Sequence, residues 1–192
     1  MDISADAVKK LREKTGVGLM DCKEALKQSA GDMEKAIDFL REKGLAKLQK
    51  RMGRTASEGT ISSYIHTGGK VGVLVEVNCE TDFVANTKEF QEFARDVAMQ
   101  ITASNPTYVR REDVPAEAIA REKEIYKKQA LESGKPEKII EKIAEGKLEK
   151  FYQEVCLVEQ SYIKNPDITI NALMEELIVK MGEKIIINRF AR

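Results

Sequence analysis

The chain has 192 residues, 42% hydrophobic and 33% charged, and its 32 basic residues balance 32 acidic ones. That length can bury a sizeable core in one or two domains, and the composition is that of a soluble globular protein with a charged, helix-rich surface. Zero net charge supplies no global field to hold a polyanion, which argues against direct nucleic-acid binding, and no apolar run approaches the ~20 residues that cross a bilayer.

The opening MDISADAVKK carries two acidic residues and no apolar stretch, so it reads as neither a secretory nor a transit peptide. Three scattered cysteines (Cys22, Cys79, Cys156) lack Cys-x-x-Cys spacing, and His66 is the only histidine. They do not make a zinc site, and neither a metal nor a cofactor is expected. Reduced thiols in a cytoplasmic protein are the plain expectation.

Residues 1–46 read as a three-helix docking module. Ser4 caps a first helix carrying Val8 and Leu11, and Gly16 closes it. A second helix places Leu19, Cys22 and Leu26 on one face and ends by Gly31. Asp32 caps a third, with Met33, Ala36, Ile37 and Leu40 at helical spacing and Gly44 as its stop. Three short helices joined by tight turns resemble the ubiquitin-associated type of bundle. The run Leu45 to Arg54 has four basic residues and no acidic one, and residues 47–57 read as a basic linker with a solvated face.

Residues 58–192 read as an α+β core. Ile61, Ser63 and Ile65 alternate with Ser62, Tyr64 and His66, and Val71, Val73, Val75 and Val77 return after a two-residue Gly68-Gly69 turn. Asn86 and Glu89 suggest a capping box for a helix with the apolar stripe Phe90, Phe93, Val97 and Ile101. Pro115 and Pro136 each open a Lys/Glu-rich helix, which gives an antiparallel helical hairpin over 115–154 with one exposed side and a break at Ser133-Gly134. A loop containing Asn165-Pro166 leads to a helix capped by Thr169 and ended by Met181-Gly182. Ile185, Ile186 and Ile187 then form a last strand, closing at Phe190, that joins the hairpin in a small antiparallel sheet backed by helices.

Catalysis finds little support in this pattern. A cysteine nucleophile needs a base within hydrogen-bond reach, but hairpin pairing puts His66 opposite Val71, roughly 27 Å along the strand from Cys79. There is no phosphate-binding G-x-x-x-x-G-K-[ST] loop, and Gly68, Gly69 and Gly72 punctuate a hairpin. Thr81-Asp82-Phe83 forms a strand-to-helix connection with an acid beside an aromatic. Read alone, Asp82 caps a turn and Phe83 enters the core; on a rigidly held connection the same aromatic can insert into a partner.

Larger stretches carry a resemblance. Leu11 to Leu26 (LREKTGVGLMDCKEAL), Gly31 to Ile37, Asn78 to Ala85 (NCETDFVA), Gly134-Lys135-Pro136 and Met181 to Phe190 together resemble the elongation factor Ts family, in the short form that lacks a duplicated half of the core. The resemblance implies no enzyme activity. It implies a guanine-nucleotide exchange factor that binds elongation factor Tu in its GDP form, disturbs the magnesium and phosphate end of that site, and lets GDP leave. Phe83 would act as the wedge with Asp82 beside it, flanked by Thr81 and Val84 as partner contacts. Arg12, Leu19, Met20 and Lys23 would dock from the N-terminal module, and His66, Ile163, Lys164, Met181 and Gly182 from the core. Ser161-Tyr162 stands where the family usually has Pro-Phe, a departure expected to loosen the backbone near Ile163 and Lys164. Because His66 and Phe83 lie at opposite ends of one hairpin, a homodimer engaging two GTPases is expected. An adaptor that docks without changing nucleotide state is the rival, and an enzyme using Cys79 or His66 is a distant third.

Overall fold

The Ser4 hydroxyl accepts a hydrogen bond from the Ala7 amide at 3.2 Å and opens α1 (Ala5–Thr15), which Gly16 closes at φ 66°. These observations come from a computed structural model that describes residues 3–132 and 136–192. The expected helix end at Ser133-Gly134, and the Gly134-Lys135 part of the resemblance, lie outside the described residues. The described residues contain eight α-helices, a three-stranded sheet and a two-stranded ribbon, an α+β fold. The chain divides into two compact units. The first comprises Met1–Gly59, Asn78–Phe90 and Met174–Ile186; the second comprises Thr60–Val77, Gln91–Leu173 and Ile187–Arg192. No described helix is long and apolar enough to cross a membrane.

In the first unit α1, α2 (Leu19–Gln28) and α3 (Met33–Met52) enclose a core of Val8, Leu11, Cys22, Ala25, Leu26, Ala36 and Leu40. Leu19, expected on the same face as Cys22 and Leu26, is instead 51% exposed. Asp32 caps α3 by accepting from the Glu34 and Lys35 amides at 3.0 and 3.1 Å. This helix does not stop at Gly44. A glycine inside a helix costs only about 1 kcal/mol, and here it permits a close approach: a Cβ at Gly44 would lie 3.4 Å from Val179 Cγ2. Arg51 then donates to the Ile178 carbonyl at 3.2 Å, so part of the stretch expected as a linker is tethered helix.

In the second unit β1 (Glu58–Ile65) and β2 (Gly72–Cys79) form the expected hairpin. The His66 amide donates to the Val71 carbonyl and the Gly69 amide to the His66 carbonyl, both at 2.9 Å. The link is therefore the four residues Thr67–Lys70 and not a two-residue turn, with Gly68 and Gly69 at φ 91° and 68°. Val73, Val75 and Val77 are buried, while Ile61, Ile65 and Leu74 point outward at 67%, 70% and 54% exposure. The strand order is β1-β2-β5, with β5 spanning Ile185–Ala191. A one-turn helix, α4 (Asp82–Ala85), follows β2, and α5 (Lys88–Ser104) follows that. The cap of α5 falls on Thr87, which accepts from the Phe90 amide at 3.3 Å; Asn86 instead closes α4 by donating to the Asp82 carbonyl at 2.9 Å.

Helices α6 (Ala116–Glu132) and α7 (Glu137–Val155) pack together within the second unit. Tyr152, Cys156 and Val114 form a small core at one end. The expected loop near Asn165-Pro166 is a ribbon of β3 (Ser161–Tyr162) and β4 (Asn165–Thr169). Tyr162 pairs with Asn165 but Ser161 pairs with Thr169, so Pro166 sits in a bulge where its missing N–H costs no ladder bond. Helix α8 (Ile170–Met181) starts with the Ala172 amide donating to Thr169 Oγ1 at 3.1 Å, as the sequence suggests.

Lys123 and Lys127 converge on Glu141 across the α6–α7 pair, each at 2.8 Å. Hydrogen bonds first from Lys123 and then from Lys127 hold the Glu141 carboxyl down to about 2. A depressed carboxyl adds stability that is full above its unfolded value and is lost as pH falls toward the folded one. Protection of the α6 and α7 amides, taken relative to the intrinsic exchange rate at each pH, should therefore fall between about pH 4.3 and pH 2, and Glu141→Gln should flatten that dependence when measured by mass spectrometry.

Candidate functional site

The connection after β2 is held by paired polar clamps within the first unit. Thr81, extended at φ −130° and ψ 153°, caps α4, its Oγ1 accepting from the Val84 amide at 3.4 Å. Its own amide and hydroxyl donate to the two oxygens of the Glu183 carboxylate, at 3.0 and 2.6 Å. The adjacent residues are tied in the opposite sense, since the Glu80 carboxylate accepts from the Lys184 amide at 2.7 Å. Arg54 donates to Glu80 at 3.2 Å, and Lys184 Nζ reaches the Arg54 carbonyl at 2.8 Å. The Glu80 carboxyl is held below the usual range, first by the Lys184 backbone N–H and then by Arg54.

This framework decides which side chains face out. Val84 and Ala85 are buried at 9% and 6% exposure, whereas Phe83 is 82% exposed. The Val84 side chain is thus a core contact and does not present a surface. Asp82 is exposed on the first turn of α4 and is not its cap, a role taken by Thr81. Burying a Phe side chain is worth ~1.5–3 kcal/mol, and Phe83 forgoes most of that on a connection whose backbone is fixed. Met181 and Gly182 are half-buried and immediately precede Glu183. Gly182 takes φ 79° and its amide donates to the Ile178 carbonyl at 2.9 Å, turning the chain toward the clamp. Thr81–Phe83 and Met181-Gly182 are therefore brought together as one feature, through residues 102 apart in sequence.

On the N-terminal helices of the same unit, Arg12 and Lys23 are exposed. Leu19 and Met20, in the first turn of α2, expose 51% and 74% of their surface. Met20 lies off the face that α2 buries through Cys22, Ala25 and Leu26, whereas Leu19 shares the angle of that face and is left outside by its place at the start of the helix.

The remaining expected site residues belong to the second unit. His66 is exposed, its Nδ1 3.3 Å from the Tyr64 hydroxyl. Ile163 is 43% exposed and Lys164 also faces solvent. The backbone around Ser161-Tyr162 is tied to α5 by side-chain hydrogen bonds. Tyr162 is buried and its hydroxyl donates to Asp96, which also takes Lys164 Nζ at 2.6 Å. Fully buried Gln100 accepts from the Ile163 amide at 2.9 Å and donates toward the Ser161 carbonyl and Gln160 Oε1 at 3.2 and 3.1 Å. The Tyr162 ring thus brings a hydroxyl with its own acceptor.

The thiols are placed as packing groups. Cys79 is fully buried, donates to the Thr81 carbonyl at 3.1 Å, and is pushed upward first by burial and then by the charge of Glu183. Burial likewise raises Cys156 to about 11, and Cys22 has no exposed surface. A thiol kept protonated is a poor nucleophile. Glu183, Glu80, Gln100 and Asp96 were not marked by the sequence. The partners named above lie 26 to 104 residues away, beyond any local pattern.

The elongation factor Ts family model matches residues 9–192. Elongation factor Ts of Desulfosudis oleivorans is 62% identical over 99% of this chain and 96% of its own length. The protein of that name from Syntrophus aciditrophicus is 60% identical, covering 100% of this chain and 96% of its own. The one from Syntrophomonas wolfei is 63% identical, with 99% and 89% covered.

Replacing the buried amide by a hydrocarbon of similar size tests the β3–β4 clamp. Gln100→Leu strands the Ile163 amide and removes the donor to Gln160 Oε1, and should cost about 1–3 kcal/mol in urea unfolding at unchanged m-value. A loss under 0.5 kcal/mol would mean the network relaxes without it.

Proposed function

The chain belongs to the elongation factor Ts family, and from that premise we propose that it is a guanine-nucleotide exchange factor. It binds the GDP form of elongation factor Tu during translation elongation and promotes GDP release without consuming a substrate of its own. The observation that carries this reading is Phe83, a large aromatic 82% exposed on a doubly clamped turn. Phe83 enters the GTPase near the magnesium and phosphate end of the nucleotide site, with Asp82 beside it. By linkage, a factor that favours the open GTPase weakens nucleotide binding by the same free energy. Thr81 and Val84 serve the wedge by holding it, Val84 from within the core.

The three-helix module, likened above to the ubiquitin-associated type, supplies docking. Leu19 and Met20 offer apolar contact at the start of α2, and Arg12 and Lys23 offer charge. Met181 and Gly182 engage the partner beside Phe83. His66, Ile163 and Lys164 contact it from the second unit. The protein acts in the cytoplasm without direct nucleic-acid or membrane contact. It works as a homodimer in a two-plus-two complex with the GTPase, and the outward apolar side chains Ile61, Ile65 and Leu74 supply a surface for the second copy.

Stopped-flow release of fluorescent GDP from elongation factor Tu tests exchange directly. Micromolar factor should accelerate release, and no acceleration would leave an adaptor that docks without exchange. Phe83→Ala should slow release by roughly tenfold or more while docking through the N-terminal module persists. Equal loss of binding and exchange would remove the wedge role. Light scattering should give a dimer mass that falls to the monomer for Leu74→Glu; a dimer that survives this change uses another surface.

A further inference from the structure

Glu183 stands out because of what it does to a single proton. The Thr81 hydroxyl has one, and at 2.6 Å it is given to Glu183. That commitment turns an oxygen lone pair toward the Val84 amide, 3.4 Å away, which is the cap of α4. The second carboxylate oxygen holds the Thr81 amide at 3.0 Å. Helix α4 has only four residues and cannot sustain itself, since helix nucleation is unfavourable without outside support. Its orientation, and so that of Phe83, depends on an acid that follows Met181-Gly182 directly.

We infer that Glu183 is a positioning residue for exchange: it orients the Thr81 cap so that Phe83 projects, and it ties that projection to the Met181-Gly182 turn. This rests on the exchange reading given above. Charge is required as well as shape. A glutamine here can accept from only one of the two Thr81 donors, and its NH2 then meets the other. If that NH2 donates to Oγ1, the hydroxyl proton is driven toward the Val84 amide and the cap is lost. Glu80, accepting from the Lys184 amide, fixes the neighbouring pair of residues but makes no contact with the hydroxyl that sets the cap.

The test combines Glu183→Gln with Thr81→Val, which keeps the shape of the cap residue but has no hydroxyl. Either variant should speed amide exchange over residues 81–86 about tenfold and leave α1 to α3 unchanged, as expected for local loss of a charge-assisted bond. Glu183→Gln should slow stopped-flow GDP release to the level of Phe83→Ala, and the Glu183→Gln/Phe83→Ala double variant should be no slower than Phe83→Ala alone. A merely structural role would slow release additively with Phe83→Ala. Unchanged exchange over 81–86 in the variant that folds, or additive slowing in the double variant, overturns the inference. If Phe83→Ala itself releases GDP at the parental rate, the exchange reading falls, and the amide-exchange arm still decides whether Glu183 holds the turn.

Discussion

A carboxylate accepting two hydrogen bonds from one threonine is the constraint on which the candidate site depends. Glu183 and Thr81 are 102 residues apart, so the contact closes a long loop. The entropic cost of closure grows only slowly with length, and the Glu80–Lys184 bond shares it by fixing the adjacent residues in the same act. Once both are formed, β2 cannot run on past Cys79 and α4 cannot rotate. Val84 and Ala85 must then turn inward and Phe83 outward. An exposed aromatic is tolerated here because the backbone that carries it is fixed by polar contacts and not by burial of the ring.

The second unit solves the same problem with different chemistry. Around Ile163 the backbone is held by a buried amide side chain, Gln100, and by an acid, Asp96, that receives both the Tyr162 hydroxyl and Lys164. Burial and the hydrogen bond to Asp96 together raise the Tyr162 hydroxyl, keeping it protonated as the donor. In both units an exposed apolar residue sits next to a fully paired polar anchor. That arrangement lowers the ordering cost a partner would otherwise meet on binding.

Much of the fold could be read locally, because caps and periodicity are local quantities. Ser4, Asp32 and Thr169 cap helices as their side chains predict, and the stripe Phe90, Phe93, Val97 and Ile101 is buried. The errors have specific physical sources. Gly44 has the look of a helix stop but serves a close approach to Val179, and that neighbour is known only from the fold. Asn86 has the look of the α5 cap but closes α4, which moves the cap one residue on to Thr87. Pro166 masks a strand because a bulge accommodates it. At the candidate site, Phe83 and Asp82 were visible as a motif. The acids that hold them were not, since no sequence window contains both ends of a clamp. Leu19 shows the reverse failure: its spacing with Cys22 and Leu26 suggests a core position, while its place at the start of α2 leaves it outside.

The three cysteines give the molecule one more property. All are free and fully buried, and burial raises Cys79 and Cys156. The folded chain is thus chemically quiet toward thiol reagents and mild oxidants, and the dimer proposed above would be held by non-covalent contact alone. A fluorophore or spin label could be attached at an introduced surface thiol without first removing the native ones. The native thiols would then serve as an internal alarm, reacting only when the surrounding core has opened.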